Sequence, residues 1–250
     1  MGLFDKLFSK ELPLVDMNRI KVDMHSHLVP GIDDGVKDSE ESENTIKGLK
    51  DLGFQQLITT PHIISDFYKN TFESITEQNK KLNAYLVEKN QPGDMRAAAE
   101  YYLDSEFMQL VEQKKLLTLG DSDYVLFELS MIEKPYNLND VIFKMMLNGY
   151  KPILAHPERY AFLAGTLDKY LDLKNRGVLF QVNLMSLVGH YGKGVQKTAE
   201  LLIDNNLIDF VGTDCHRLRH LPIIEKSLKS KYCHKLVNNF ELKNLDLLKH

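Results

Sequence analysis

Short apolar runs alternate along the chain with longer stretches of helical period. The runs fall at Ile20–Met24, Gln56–Thr60, Met95–Ala99, Tyr124–Leu129, Pro152–Ala155, Leu179–Asn183 and Asp209–Thr213. Several are apolar at nearly every position, which predicts strands buried on both faces of a parallel sheet. Between them, apolar residues three and four apart predict helices over Ser39–Leu52, Phe72–Glu88, Ser105–Lys114, Leu138–Leu147, Leu167–Arg176 and Val195–Asn205. Ser39, with Ser42 and Glu43 nearby, marks an N-terminal cap region, and Gly53, Gly149 and Gly177 each follow a helical stretch as C-terminal caps do. The β-α unit repeats about seven times, so the expected fold class is α/β, with a seven-stranded β/α (TIM-like) barrel as the economical closure.

Neither a low-complexity linker nor an internal repeat divides the sequence, and 250 residues suit one such barrel. The expected domain covers residues 22–250. Residues 1–21 form an N-terminal extension, where Leu3, Phe4, Leu7 and Phe8 have the spacing of a short amphipathic helix. That start lacks the apolar core of a signal peptide, and Lys6 breaks the myristoylation pattern. After His220 come Pro222, a helical run, and a Leu-rich tail, Leu242–Leu248, expected as a closing helix.

Composition narrows the function classes. A hydrophobic share of 43% with 26% charged residues is that of a soluble protein with a sizeable core. A net charge of −4 argues against a nucleic-acid partner, which needs a basic face. No apolar run reaches the ~18 residues of a transmembrane helix. The two cysteines, Cys215 and Cys233, fit a reducing cytoplasm. Neither starts a Cys-x5-Arg loop, because Leu221 and Asn239 stand at the sixth position, so the thiolate route to phosphotyrosine hydrolysis is missing.

The chemistry lies at the strand ends. The first is followed by His25 and His27, then Asp33 and Asp34. T-T-P-H gives His62, A-A-A-E gives Glu100, L-F-E gives Glu128, and A-H-P-E-R-Y gives His156, Glu158 and Arg159. Q-V-N gives Asn183, and G-T-D-C-H gives Asp214 and His216. In a parallel barrel these ends meet on one face, where active sites lie. Burying so many carboxylates and imidazoles without a cation costs several kcal/mol per unpaired charge. His25 and His27 alternate by two and so point to one side, as do Asp214 and His216. The candidate ligands His25, His27, Asp34, His62, Glu100, Glu128, His156, Asp214 and His216 exceed what one ion needs. Two or three ions, with Glu100 bridging, account for them. The donor types suit manganese, iron or zinc without separating these.

Spacing alone does not separate Asp33 from Asp34. Asp23 is equally suited to holding a ligating His from behind. His190, His220, His234 and His250 fall outside the strand ends and are expected as non-ligands. Cys215 alternates away from the ligands, into packing. Tyr101, Tyr102 and Phe107 read as core or rim.

Together D-M-H-S-H, T-T-P-H, A-H-P-E-R-Y, T-D-C-H and the Glu100 and Glu128 strand ends resemble the polymerase-and-histidinol-phosphatase (PHP) superfamily. G-I-D-D-G and H-P-E-R-Y resemble, more narrowly, its bacterial manganese-dependent protein-tyrosine phosphatases of capsular and exopolysaccharide biosynthesis. The likeness runs in order from Val22 to Leu221. It implies a distorted seven-stranded barrel of the PHP type and a three-metal cluster. His25, His27, Asp214 and Glu100 would hold one ion, Glu100, Glu128 and His156 a second, and Asp34, His62 and His216 a third, with Asp33 shaping the loop. Arg159 and Arg219 would be catalytic, although H-R-L-R-H departs from the family pattern and leaves Arg217 as the alternative to Arg219.

The implied reaction is phosphomonoester hydrolysis on a phosphotyrosine-bearing protein, a bacterial tyrosine kinase that regulates polysaccharide synthesis. The ions acidify the attacking water, and an arginine fork holds the phosphoryl oxygens. Alternatives are a small-molecule phosphatase of the histidinol-phosphatase type and a non-catalytic metal-binding regulatory module.

Overall fold

In the computed structural model, residues 12–248 are described. Over these the chain is an α/β fold in which every paired strand runs parallel to its neighbour. The order is β1 (Val22–Asp23), α1 (Ser39–Asp51), β2 (Gln56–Thr59), β3 (His62–Ile63), α2 (Phe72–Glu88), β4 (Arg96–Ala97), β5 (Glu100–Tyr102) and α3 (Ser105–Gln113). Then come β6 (Tyr124–Glu128), α4 (Leu138–Leu147), β7 (Lys151–Ala155), α5 (Leu167–Asn175), β8 (Leu179–Asn183), α6 (Lys193–Asp204), β9 (Phe210–Gly212), α7 (Leu221–Leu228) and α8 (Lys231–Asn239). The strands make a three-stranded sheet in the order β1-β2-β4 and a six-stranded sheet in the order β3-β5-β6-β7-β8-β9.

Two of the predicted strands are each followed by a further short strand beyond the predicted bounds. The run Gln56–Thr60 holds β2, and β3 follows after Pro61, which has no N–H to give to a ladder. The Pro61 carbonyl still accepts from Glu100 N at 3.1 Å. The run Met95–Ala99 holds β4, β5 follows it from Glu100, and Ala98 between them donates to Thr59 O at 2.8 Å. The first and last strands also approach each other. Beyond their ends Ser26 and Cys215 form a parallel bridge, and Asp214 N–H donates to His25 O at 2.8 Å.

Burial explains why the runs are so apolar. In β6, Val125 and Phe127 pack with the helices, among them Leu138 and Val141 of α4, while Tyr124 and Leu126 face a second cluster with Val22, Met24, Ile58 and Ile153. Both faces are dry, so period-2 polarity disappears. Truncating Phe127 or Phe180 to Ala should cost ~3–5 kcal/mol.

Local capping sets the helix starts. Asp38, one residue before the cap region read from the sequence, accepts from Glu41 N and begins α1. Thr71 and Ser74 form a reciprocal box at α2. Gly53, Gly149 and Gly177 take φ of +104°, +91° and +86° beyond their helices. The tail expected as a helix over Leu242–Leu248 is a short 3-10 helix, Lys243–Leu247. Its buried Asn244 donates to Val22 O and Val211 O and accepts from Val211 N, pinning β1 to β9 at the end opposite the strand tips. These side-chain bonds need a compact turn under the sheet. The amphipathic helix expected over the first residues lies outside the described residues. No helix among the described residues is long and apolar enough to cross a membrane.

Candidate metal centre

Strand ends and the segments that follow them bring the nine candidate donors together. His25 and His27 follow β1, and Ser26 between them turns away to donate to Ile58 O at 3.2 Å. His62 and Glu100 open β3 and β5 and lie opposite each other in register. Glu128 ends β6, His156 follows β7, Asp214 and His216 follow β9, and Asp34 comes from the loop before α1. His156 and Asp214 take positive φ, +35° and +53°. Non-glycine residues adopt this left-handed region at a cost of ~1–3 kcal/mol. Both stand where the chain leaves a strand with a candidate donor, while Lys21, Asn90, Lys114 and Asn206 take positive φ elsewhere. Gly35 is also dictated locally, because a Cβ there would lie 2.3 Å from His27 O.

Glu100 is central. Its Oε2 lies 3.2 Å from His25 Nε2, 3.4 Å from His27 Nε2 and 3.2 Å from His62 Nδ1, while its Oε1 lies 2.9 Å from His156 Nε2. Asp214 Oδ1 lies 3.4 Å from His25 Nε2, 3.6 Å from His27 Nε2 and 3.4 Å from His216 Nδ1. Glu128 Oε1 is 3.2 Å from His62 Nδ1, and Asp34 Oδ1 is 3.4 Å from His216 Nε2 and 3.6 Å from His62 Nε2. The donors form four overlapping groups: His27 with Asp34, His62 and His216; His25 with His27 and Glu100; His25 with His156 and Asp214; and His62 with Glu100 and Glu128.

A second layer sets which nitrogen of each ring carries a proton. Asp214 Oδ2 can only accept, and Asn183 Nδ2 donates to it at 2.6 Å. Asn183 Oδ1 therefore accepts from Gln181 Nε2 at 3.0 Å, and Gln181 Oε1 accepts from His25 Nδ1–H at 2.8 Å. Asp33 Oδ2 likewise accepts from His27 Nδ1–H at 2.7 Å, while its carboxylate also takes the N–H groups of Gly35 and His62. With Nδ1 committed in both rings, each Nε2 faces the carboxylates. Asp23 does not serve this purpose: it accepts from Thr213 N–H and Oγ1–H and reaches only the backbone N–H of His25. Glu158 also turns away, accepting from Ser186 Oγ and Asn183 N.

The electrostatics are those of a centre that wants positive charge. Burial lowers the affinity of His25 for a proton, but Glu100 and Asp214 reverse that and raise it from 6.5 to about 9. His27 and His62 are raised too, against the burial that works the other way, chiefly by Asp33 and by Glu100 respectively. Burial pushes the Glu100 and Asp214 carboxyls up, yet the facing imidazoles hold both below the usual carboxylate range. Without metal, protons on the histidines balance the carboxylates.

Divalent cations fit this donor set. The buried His62 Nδ1 has no hydrogen-bond partner although two carboxylate oxygens lie 3.2 Å away, the arrangement of three donors aimed at a common point. Four carboxylates, Asp34, Glu100, Glu128 and Asp214, share these groups with five imidazoles, so divalent cations can take the place of the imidazole protons that otherwise offset them. The mixed nitrogen and oxygen donors suit borderline divalent ions.

The cluster floors a cavity of about 520 Å³. Arg159 enters it from a 3-10 turn after His156, with Nη1 at 3.3 Å from Asp214 Oδ2. Its guanidinium lies 4.6 Å from the centre of the Tyr191 ring, and Tyr191 OH donates to Asp214 Oδ2 at 3.1 Å. Arg217 and Arg219 both line the cavity. Ile64, Tyr68 and Met131 form an apolar wall, where Tyr68 stacks on His62 with centroids 5.7 Å apart. His220 also lines it; burial lowers its pKa to about 4, and its Nδ1 accepts from His216 N–H. Cys215 is buried, as is Tyr101 against Phe107, while Tyr102 lines a smaller groove alongside.

Sequence reasoning did not find Gln181 or Tyr191, and it left Asn183 without a role. Taken singly none stands out, since amides and tyrosines at strand ends have many structural uses. The alternation Gln181–Asn183 on one strand face was the one available hint.

Fold and cluster together define an α/β protein built around a His–carboxylate centre able to hold metal. The family described as "Capsular polysaccharide synthesis, CpsB/CapC" matches residues 21–248, and the chain belongs to it. It is 29% identical over 229 residues to "Tyrosine-protein phosphatase YwqE" of Bacillus subtilis (strain 168), spanning 88% of this chain and 90% of that protein. It is 27% identical over 206 residues to "Tyrosine-protein phosphatase CpsB" of Streptococcus pneumoniae, spanning 80% and 85%. A solved structure described as "Crystal structures of YwqE from Bacillus subtilis and CpsB from Streptococcus pneumoniae, unique metal-dependent tyrosine phosphatases" superposes with a TM-score of 0.73. It is 28% identical and covers 84% of this chain and 89% of that one.

Proposed function

We propose that the chain is a metal-dependent protein-tyrosine phosphatase of capsular or exopolysaccharide synthesis, acting on a phosphotyrosine-bearing protein, a bacterial tyrosine kinase. The observation that carries this is the placing of Arg159 at the lip of the His–carboxylate cluster, in one cavity with an apolar wall. Divalent ions held there, manganese by family resemblance, would supply Lewis acidity toward phosphoryl oxygens and acidify a water to near neutrality. Arg159 presents a planar fork that pairs with two non-bridging oxygens, and the Tyr191 ring beneath keeps that fork in place. Ile64, Tyr68 and Met131 offer a surface for a phenyl ring.

Two or three ions are our reading of the donor count. The two oxygens of Glu100 face different histidines, which favours a bridging role. His25, His27 and Asp214 with Glu100 suit one ion, Glu128 and His156 with Glu100 a second, and Asp34, His62 and His216 a third. His27 also lies in the Asp34 group. We read the two sheets as one distorted barrel of seven strand paths, in which β2 with β3 and β4 with β5 each share a path. The Ser26–Cys215 bridge favours that reading.

Purified protein with manganese, assayed side by side on phosphotyrosine peptides and histidinol phosphate, tests the substrate class. Faster turnover of the peptides is expected. Faster turnover of histidinol phosphate would replace this reading with the small-molecule one, and peptide binding without phosphate release would replace it with a regulatory module.

A further inference from the structure

A second depression adjoins the metal cavity. Its volume is about 510 Å³, and its walls are Lys37, Glu41, Arg217, Leu218, Arg219 and Pro222. Arg217 and Arg219 belong to both walls, so the two spaces are neighbours. Three cations therefore converge at the rim of a cluster that would hold a phosphoryl group, in a chain whose net charge is −4. Among the described residues no carboxylate forms an ion pair with any of the three. Arg217 Nη1 reaches only its neighbour's carbonyl, His216 O, at 3.4 Å. The one carboxylate in the wall, Glu41, is engaged by backbone N–H groups, Lys37 N at 3.1 Å and Leu218 N at 3.5 Å.

Unpaired cations kept together repel one another, and a surface elsewhere well supplied with acids could have paired them. Elsewhere Lys50, Lys81 and Lys229 each have a carboxylate oxygen at 2.7 Å, while others such as Lys47 and Lys80 have no ion pair among the described residues; what sets this place apart is that three cations line one depression. We propose that this depression is a second anion subsite, which takes a carboxylate or phosphate carried by the protein substrate close to its phosphotyrosine. The proposal rests on the phosphotyrosine reading above and narrows the substrate to segments bearing a second negative charge. Arg219, the more exposed of the two shared arginines, then serves both spaces.

Three phosphotyrosine peptides of one sequence test it: one with Gln at the flanking positions, one with Glu, and one with a second phosphotyrosine. They are assayed on the manganese-loaded protein at low and high salt, with 4-nitrophenyl phosphate as a flank-free substrate. Low-salt kcat/KM should be about five-fold higher for the anionic peptides, on the scale of one exposed ion pair. High salt should erase the gain. Lys37 touches only the second depression, so Lys37→Glu should abolish the preference, and Lys37→Gln reduce it, with 4-nitrophenyl phosphate turnover unchanged. A larger gain for the Glu peptide identifies a carboxylate as the ligand, and a larger gain for the doubly phosphorylated peptide a phosphate. Equal rates for all three peptides, or a preference that survives Lys37→Glu, would overturn the subsite. No turnover of any substrate would overturn the phosphotyrosine reading itself, and the subsite with it.

Discussion

Asp214 and His25 are joined twice, once directly and once through a relay. Asp214 Oδ1 faces His25 Nε2 at 3.4 Å, while Asp214 Oδ2 reaches His25 Nδ1 through Asn183 and Gln181. The carboxylate thereby dictates the proton position on the far side of the ring it faces. Gln181→Met removes the acceptor and leaves His25 Nδ1–H buried without a partner. Metal affinity should fall ~10–100-fold, as for other partners that orient ligating histidines. Competition against a chromogenic chelator measures it, and wild-type affinity would mean the relay does not matter.

Close packing guards the same relay. A Cβ at Gly212 would lie 2.7 Å from His25 Cβ and 2.9 Å from Gln181 Nε2. Gly212→Ala should cost ~1–3 kcal/mol as overpacking and weaken metal binding as well. Gly194, within α6, has ordinary φ and nothing within 4 Å of its hypothetical Cβ. Gly194→Ala should therefore stabilise by ~0.4–1 kcal/mol. Denaturant melts of the two variants should move in opposite directions; equal shifts would rule out a steric cause.

Tyr191 works through its neighbours. Its hydroxyl shares Asp214 Oδ2 with Asn183 and Arg159, and its ring carries the Arg159 guanidinium. Tyr191→Phe keeps the ring and should lower kcat a few-fold with KM nearly unchanged. Tyr191→Leu removes the platform and should raise KM ~3–30-fold, the range of a cation–π contact. Equal KM in the two variants would show that the ring does not position Arg159.

Metal loading should depend on pH in a definite direction. The raised His25 proton affinity, about 9 against an ordinary 6.5, stabilises the metal-free fold fully below pH 6.5 and is lost as pH rises through 9. A bound cation has to displace that proton from Nε2. Between pH 6.5 and 9 the metal-free protein should therefore lose thermal stability while metal affinity rises, with protons released on binding. Calorimetric titration in two buffers of different ionisation enthalpy counts those protons, and pH-independent affinity would contradict the assignment.

The donors were legible because a lone His or carboxylate at a strand end can be a satisfied structural residue, whereas six or seven converging on one face are too costly to bury without a cation. The strands were legible because both faces are buried. The further short strands beyond two of them were not, since the breaks at Pro61 and Ala98 depend on which neighbour pairs with which strand. The left-handed turns at His156 and Asp214 were not legible, because His and Asp tolerate that region better than most residues yet adopt it rarely enough that residue type alone does not announce it. Gln181, Asn183 and Tyr191 act through hydrogen bonds made only when β8, β9 and the loop before α6 come together. The tail was legible as helical from its leucines, but not its 3-10 form, which carries the Asn244 bonds to β1 and β9.

Phosphate release from a phosphotyrosine peptide, followed before and after chelation and again after manganese is restored, tests the central claim most directly. The cluster geometry predicts that chelation abolishes release by orders of magnitude and that manganese restores it. Full activity in the presence of chelator would contradict it.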